Sequence, residues 1–312
     1  MNMRNQTCLT EIIFVGFSDF QSLQALIFGL VLIFYLTALF GNILILLITV
    51  IDPVFHTPMY FFLRHLSILE IGYTTTVIPK TLEHLLSETR TISFVGCGIQ
   101  MYFFIFFGVT ECCLLAAMAY DRFVAICKPL QYSWIMSPKE CAHLAAVSWT
   151  FGILVAFGRT ISIFTLPFCG PNKLSHFFCD ILPVLRLATT DTFKNEVAVV
   201  ALTVFFILVP FLLTLLSYIY IISTILRMPL AKSRQKAFST CSSHLIVVSL
   251  FYGTGTFTYI RPRTVSSLDN DRILSLLYTV VTPTFNPIIY SLRNKGIRAA
   301  FRKSIGWKEG LP

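Results

Sequence analysis

Two glutamates stand inside long apolar segments, where a carboxyl group needs a partner. Glu111 is the one charged residue between positions 94 and 120, and Glu70 lies in a similar segment. Two neighbouring carboxylates do not both ionise readily without a cation. With Asn42 and Asn286 they predict one polar cluster that holds a sodium ion or a shared proton. The alternative is a protonated, hydrogen-bonded structural pair.

A second constellation is the pair Asp121-Arg122, close to the end of the apolar segment that contains Glu111. A guanidinium stays charged, so it must find partners. Asp121 can hold Arg122 in a resting state, and in an active state Arg122 can meet Tyr218 and a partner protein. The alternative is a charge pair that snorkels at a membrane surface.

The elements that position these residues are lipid-solvated helices. Of 312 residues, 55% are hydrophobic and 12% are charged, whereas a soluble domain has about 25% charged residues. A membrane-crossing helix needs about 20 apolar residues. The sequence therefore predicts an all-α membrane protein, a seven-transmembrane helix bundle in residues 25–293. The predicted spans are about 25–51, 58–80, 94–125, 141–162, 197–226, 237–260 and 273–292.

The orientation follows from the distribution of basic residues. The side that carries Arg122 and the C-terminus has 14 lysines and arginines against 4 acidic residues, and the other side has 10 against 9. The more basic side is expected to be cytoplasmic. This puts residues 1–24 outside and the tail 294–312 inside. The glycosylation sequon at Asn5 agrees. The net charge of +9 lies in short loops, so a nucleic-acid partner is not expected.

The tail predicts a short amphipathic helix on the cytoplasmic leaflet. Ile297, Phe301 and Ile305 recur every four residues, so they share one helical face, and Arg298 and Arg302 lie on the rest of the surface. A solvated basic tail is the alternative.

Cysteines on the predicted outer side suggest a disulfide. Cys97 stands at the outer end of the third span and Cys179 lies in the long outer loop, both on the oxidising side. A bridge would hold this loop over the bundle, and two free buried thiols are the alternative. Cys8 and Cys169 also lie outside. No zinc-ligand spacing is present among the cysteines.

Six motifs cover all but the ends of the chain and carry a family resemblance. They are Gly41-Asn42, PMYFFL at 58–63, MAYDRFVAIC at 118–127, Ser217-Tyr218, KAFSTCSSHL at 236–245 and PTFNPIIY at 283–290. With these motifs the chain resembles the olfactory receptors, a branch of the rhodopsin-like G-protein-coupled receptors.

The resemblance implies a sensor of small volatile odorants that activates a stimulatory, olfactory-type G protein and raises cyclic AMP at the plasma membrane. No enzymatic activity is expected, and no cofactor beyond the possible sodium ion at Glu70 and Glu111. From inward positions, the expected ligand-binding residues are Phe104, Ile105, Gly108, Val109, Cys112, Thr203, Phe206, Tyr252, Thr256, Tyr259 and Thr279. The expected residues for G-protein coupling and switching are Asp121, Arg122, Tyr218, Lys236, His244, Asn286, Pro287 and Tyr290. For each ligand-binding residue, ordinary bundle packing is the alternative.

The chain departs from the family pattern at two places. Phe123 stands where the family usually has tyrosine, and no cysteine is present near Thr189, where a further one is usual. We therefore expect Cys169 to be unpaired or to compete for the Cys97–Cys179 bridge, which would leave the outer loop less constrained.

Two other functions remain open at this point. One is a rhodopsin-like receptor for another small ligand outside the nose. The other is a transporter or channel, which would need internal repeats or a line of intramembrane charges. No nucleophile–base pair favours an enzyme.

Overall fold

The computed structural model describes residues 9–16, 22–87, 89–259, 274–293 and 295–304. Within these residues, a bundle is formed by α1 (Gln24–Ile51), α2 (Pro58–Leu86), α3 (Phe94–Cys127), α4 (Pro138–Phe164), α5 (Phe193–Leu226), α6 (Ala231–Tyr259) and α7 (Thr282–Arg293). A π-helical turn, Leu277–Val281, leads directly into α7. The predicted seven-helix bundle is confirmed. Short helices Tyr132–Ile135 and Ile181–Leu185 lie in the connections.

Several helices extend beyond the apolar lengths that the sequence defines. α2 continues six residues past the predicted end at residue 80, and α6 begins six residues before the predicted start at 237. Helix ends are set by capping and turn residues rather than by the edge of the lipid. At the start of α4, the Ser137 side chain accepts from the backbone N–H of Glu140 and Pro138 occupies the first turn.

The outer surface of the bundle is apolar. Among the described residues, α1, α3, α4 and α5 are long and apolar enough to cross a membrane. On α1 the large side chains Leu30, Ile33 and Phe40 are exposed, whereas Asn42 and Ile45 are buried. A continuous exposed apolar surface of this kind is costly in water and suits lipid.

α3 is the central helix, because it packs against α2, α4, α5 and α6. Glycines allow two close helix contacts. A Cβ on Gly152 of α4 would lie 2.9 Å from the carbonyl oxygen of Phe106 in α3, and a Cβ on Gly41 of α1 would lie 2.8 Å from Cβ of Pro287 in α7. Close approach of the backbones fixes where α3 and α7 stand, and these helices carry the polar groups described below.

A small sheet covers the end of the bundle that is predicted to be outside, in a region for which the sequence predicted no strands. β1 (Glu11–Phe14) lies between β2 (Thr91–Ser93) and β3 (Lys173–Leu174). It pairs antiparallel with β2 and parallel with β3, with Ile13 opposite Lys173. Ile12 and Phe14 are buried in the outer core with α3 and the long loop. The three strands and the long loop between α4 and α5 together form a lid on the bundle, and the N-terminal segment β1 is part of this lid.

The predicted tail helix is present as α8 (Lys295–Ser304). Ile297 is fully buried against the inner core and Arg298 is exposed. The helix is therefore amphipathic, with its apolar side against the bundle. Ile305 lies outside the described residues.

Candidate functional site

An internal cavity lies below the outer lid, between α3, α4, α5, α6 and α7. Its volume is about 130 Å³. An apolar cavity of roughly 150 Å³ accepts benzene, so this space suits one small molecule. Seven of the residues predicted for ligand binding line it: Phe104, Ile105, Gly108, Val109, Cys112, Phe206 and Tyr252.

The remaining four predicted ligand residues do not join them among the described lining. Thr279 is fully buried, and its hydroxyl donates to the Ser275 carbonyl instead. Thr256 is exposed. The side chains of Thr203 and Tyr259 lie outside the part of the chain that the structure describes.

Tyr252 connects the cavity to the helix packing. Its ring is buried, and its hydroxyl donates to the Cys112 carbonyl oxygen at 3.0 Å. Tyr252 and Cys112 belong to α6 and α3, and both line the cavity. A ligand that contacts Tyr252 and Cys112 can therefore change how α3 and α6 pack together.

Arg159 of α4 lines the same cavity and was not predicted to bind ligand. One of its terminal nitrogens donates to the carbonyls of Ala198 and Val199 of α5, each at 3.0 Å. Among the described residues no carboxylate forms an ion pair with it. The sequence does place Arg159 within the predicted fourth span, at 141–162, where a charged residue is unusual. For the orientation it was counted only among the basic residues of the outer side.

The roof of the cavity is the long outer loop, which is bonded to α3 and to the π-helical turn before α7, and through Gln100 of α3 to α2. The Cys97–Cys179 disulfide is present, with a Cα–Cα distance of 5.5 Å. The Cys179 backbone N–H donates to Gln100 Oε1 at 2.9 Å, and the Gln100 amide donates to the Thr76 carbonyl of α2 at 3.0 Å. The Tyr278 hydroxyl donates to Asp180 Oδ2 at 3.2 Å.

The loop also closes on itself beside Cys169. Both the backbone N–H and the hydroxyl of Thr189 donate to the Pro167 carbonyl oxygen, each at 2.9 Å. A Cβ on Gly170 would lie 3.0 Å from the Thr189 methyl group. The position at which the sequence lacks a cysteine is thus occupied by a hydrogen-bonded threonine.

The polar core brings together three of its four predicted members. The Asn286 amide donates to Glu70 and, at 3.5 Å, to Glu111 Oε1. All three side chains are buried. The Asn42 amide donates instead to the Ala38 carbonyl of its own helix at 3.0 Å. Among the described residues, Asn42 therefore forms no hydrogen bond with Glu70, Glu111 or Asn286.

Two oxygen atoms of this core are of the chemical kind that binds small cations. Glu70 Oε2 and Asn286 Oδ1 are buried and have no hydrogen-bond partner among the described residues. Carboxylate and amide oxygens are the ligands that hard cations prefer. Within the described chain no cluster of three or more His, Cys, Asp or Glu side chains suits a metal, so such an ion would depend on amide and hydroxyl oxygens as well.

Two of the predicted switch residues, Asp121 and Arg122, pair with each other at the opposite end of the bundle, which is predicted to be cytoplasmic. Arg122 pairs with Asp121, and the Tyr132 hydroxyl donates to the other oxygen of Asp121 at 2.8 Å. Burial, with the Asp121 carboxylate adding to it, raises the pKa of Tyr132, so the phenol keeps its proton. Tyr132 was not predicted, because a tyrosine in a cytoplasmic connection has no distinguishing pattern.

Tyr218 does not meet Arg122 in this arrangement. Its hydroxyl lies 2.8 Å from His244 Nδ1 and 3.3 Å from the Cys241 carbonyl, so it connects α5 to α6. The Tyr290 hydroxyl of α7 is buried with no partner among the described residues. Pro287 lies inside α7 against Gly41. The side chain of Lys236 and the whole of Asn5 lie outside the described residues.

Comparison with known proteins gives a consistent result. A family model described as olfactory receptor matches residues 31–308. The chain is 53% identical to human Olfactory receptor 10P1, with 96% of each chain covered. It is 54% identical to human Olfactory receptor 10A4 over 98% of this chain and 97% of the relative. It is 52% identical to mouse Olfactory receptor 10P22 over 96% of each.

Proposed function

Since this chain belongs to the olfactory receptor family and is an odorant receptor that acts through a G protein, we propose that the cavity beneath the outer loop holds the odorant. We propose further that the response is activation of a stimulatory G protein and a rise in cyclic AMP. The protein is a receptor and not an enzyme. Because its family consists of olfactory receptors, the transporter or channel hypothesis is not favoured.

The observation that carries the proposal is the cavity that is lined by residues of both α3 and α6. A ligand shifts a conformational equilibrium only by its different affinity for the two states. Because Tyr252 and Cys112 join α6 to α3 at the cavity wall, a ligand that packs better when these helices are displaced favours the displaced state. The same helices carry Arg122 and His244 on the proposed cytoplasmic side of the cavity.

The chemistry of the cavity suggests the class of ligand. Most of the lining side chains are apolar, Glu111 contributes a carboxyl group, and Arg159 supplies a cationic donor. We propose small, mostly apolar odorants that carry one hydrogen-bond acceptor, such as a carbonyl or carboxyl group. The acceptor would replace water at the guanidinium, and the hydrocarbon part would fill the apolar space.

The test is a broad screen of small odorants in cells that report cyclic AMP, repeated with Arg122→Ala. The expected result is a cyclic AMP response to some small acceptor-bearing odorants that disappears in the variant. Surface staining of both proteins controls for expression. A response in Arg122→Ala equal to that of the wild type would contradict the proposed coupling.

We also propose that Glu70, Glu111 and Asn286 hold a sodium ion or a shared proton whose occupancy depends on conformation. The support is the buried oxygen pair without partners, Glu70 Oε2 and Asn286 Oδ1. When bound, the ion supplies a counter-charge to the carboxylates. The chain's own residues orient the oxygens and exclude lipid from them.

Agonist potency of the purified receptor, measured with and without sodium, tests this idea. Potency is expected to shift with sodium, and Glu111→Gln is expected to remove the shift because it removes one negative charge. Lithium or choline chloride at equal ionic strength is the control. An unchanged potency in the wild type would leave the protonated structural pair.

The proposed location is the plasma membrane, with the N-terminus extracellular and the tail cytoplasmic. The basic cytoplasmic side and the amphipathic α8 support this orientation. Mapping the Asn5 glycan together with protease protection of an epitope on the tail tests it. Both ends on one side of the membrane would contradict it.

A further inference from the structure

We propose that two glycines, Gly108 of α3 and Gly255 of α6, select odorants by the shape of their hydrocarbon part. They leave the cavity wide between α3 and α6, so a ring or a branched group fits there better than a straight chain with the same number of carbon atoms. This inference rests on the proposed function, because it concerns the odorant in the same cavity.

The first argument is that these two glycines do not serve close helix packing. A Cβ at Gly152 of α4 would lie 2.9 Å from the Phe106 carbonyl oxygen, so that glycine lets two helices approach closely. Among the described residues, a Cβ at Gly108 would meet no atom of another helix within 4 Å. At Gly255 it would meet only Cδ1 of Ile207, at the ordinary contact distance of 3.5 Å.

The second argument is that both glycines line the cavity. Neither has the left-handed backbone conformation that favours glycine. Both lie inside long helices, where glycine is less stable than alanine. Close packing and backbone conformation therefore do not account for them. What they contribute is open space beside the ligand.

The two glycines stand at the same level of the bundle. Gly108 precedes Cys112 by four residues on α3, and Gly255 follows Tyr252 by three residues on α6. Residues three or four apart share one side of a helix. Since the Tyr252 hydroxyl donates to the Cys112 carbonyl, both glycines lie about one helical turn, roughly 5 Å, nearer to the lid than this bond. The bond forms the floor of the cavity and the glycines form its walls just above.

Arg159 lies toward the other end of the same cavity. Gly152 packs beside Phe106 and Thr110, in the part of α3 that contains Gly108. Arg159 follows Gly152 by seven residues, which is about 10 Å along α4 toward the lid. An odorant whose acceptor meets the guanidinium therefore places its hydrocarbon part between the two glycines.

The missing side chains widen the cavity across the bundle rather than along it. A straight chain that runs along the helices leaves this width empty, so the lining atoms lack partners for dispersion contacts. A ring or a branched group fills the width and contacts both walls. The expected ligands are therefore acceptor-bearing odorants with a compact hydrocarbon end.

Cyclohexyl acetate and hexyl acetate test the proposal, because they share the ester group and the number of carbon atoms. Cyclic AMP is measured against ester concentration at equal surface expression in the wild type, Gly108→Ala and Gly255→Ala. The wild type is expected to respond to cyclohexyl acetate at the lower concentration. In each variant this preference is expected to fall at least about fivefold, because the added methyl group overpacks the space that the ring needs.

Gly253→Ala is the matched control on the same helix. Gly253 is exposed, and a Cβ there would also meet nothing within 4 Å among the described residues. This variant is expected to keep the preference of the wild type. Three results overturn the proposal: a wild type that does not prefer cyclohexyl acetate, glycine variants that keep the wild-type preference, or an equal loss of potency for both esters.

Thermal unfolding without ligand separates the shape of the cavity from the stability of the fold. All three variants are expected to unfold at or above the wild-type temperature, because alanine favours helix over glycine and its methyl group meets open space. A lower temperature for Gly108→Ala or Gly255→Ala shows that the space is already filled and overturns the proposal. If the wild type responds to neither ester, the proposed odorant class is contradicted for esters. The unfolding temperatures then still decide whether the two glycines leave open space.

Discussion

At the scale of single residues, one phenol holds the resting charge pair in place. Tyr132 donates to Asp121, and Asp121 pairs with Arg122. Tyr132→Phe removes one hydrogen bond to a charged acceptor, which is worth about 1.5–3 kcal/mol. If half of this differs between states, the resting–active ratio falls several-fold, so basal cyclic AMP rises.

The measurement is basal cyclic AMP at equal surface expression. Tyr120→Phe is the matched control, because Tyr120 lies nearby on α3 with 42% of its surface exposed. Basal signalling of Tyr132→Phe that stays at the level of the control would show that Asp121 holds Arg122 without help from the phenol.

If the cavity holds the odorant as proposed, Arg159 selects ligands with a hydrogen-bond acceptor. Arg159→Met keeps most of the unbranched, apolar part of the side chain and removes the guanidinium. The variant is expected to lose at least about tenfold in potency for acceptor-bearing odorants, since a charged hydrogen bond contributes about 1.5–3 kcal/mol. Concentration–response curves check this, with Arg186→Met on the exposed outer loop as the control. Equal losses for hydrocarbon odorants would indicate a packing role.

Some of these residues could be found from the sequence and others could not. Glu70 and Glu111 were identifiable because ionisable groups are rare in apolar segments, and their partner Asn286 followed from the same reasoning. Tyr132 and Thr279 were different cases. The role of Tyr132 depends on how the short helix Tyr132–Ile135 folds back against α3, which no local pattern shows. Thr279 was expected to bind ligand, but its hydroxyl donates to the Ser275 carbonyl of the preceding turn.

At the scale of elements, close backbone contact fixes the central helices. A Cβ at Gly152 would press on Phe106 and Thr110 of α3, whereas a Cβ at Gly158 of the same helix would meet nothing within 4 Å. Gly152→Ala is therefore expected to destabilise the bundle by about 1–3 kcal/mol through overpacking.

Thermal unfolding of the purified receptor in detergent measures this effect. Gly158→Ala is the control and is expected to match or exceed the wild type, because alanine favours helix over glycine. If the two variants unfold at the same temperature, the close contact of Gly152 with α3 does not contribute to the stability of the bundle.

The helices α1, α3, α4 and α5 were predictable because each carries an apolar segment long enough to cross a membrane, which needs no distant partner. The sheet was not. β1 has four residues, and its partners β2 and β3 lie about 80 and 160 residues away along the chain. No local pattern in a four-residue segment indicates which distant strands will pair with it.

At the scale of the whole molecule, the lid and the bundle share one outer core. Phe14 of β1 is 2% exposed and packs on His84 of α2, with ring centroids 4.6 Å apart. Phe14→Ala is expected to cost about 3–5 kcal/mol and to lower both surface expression and odorant potency. Glu11→Ala, an exposed change on the same strand, is the control. Wild-type potency in Phe14→Ala would show that the lid is not needed to close the cavity.

The position of β1 in the middle of the sheet has a consequence for biosynthesis. β2 is made before β3, and β3 emerges only after α4 has been inserted. The sheet can therefore be completed only after four helices have been synthesised. Until then the edge of β1 that faces β3 has no partner, so its backbone N–H and C=O groups are open to pairing with other strands.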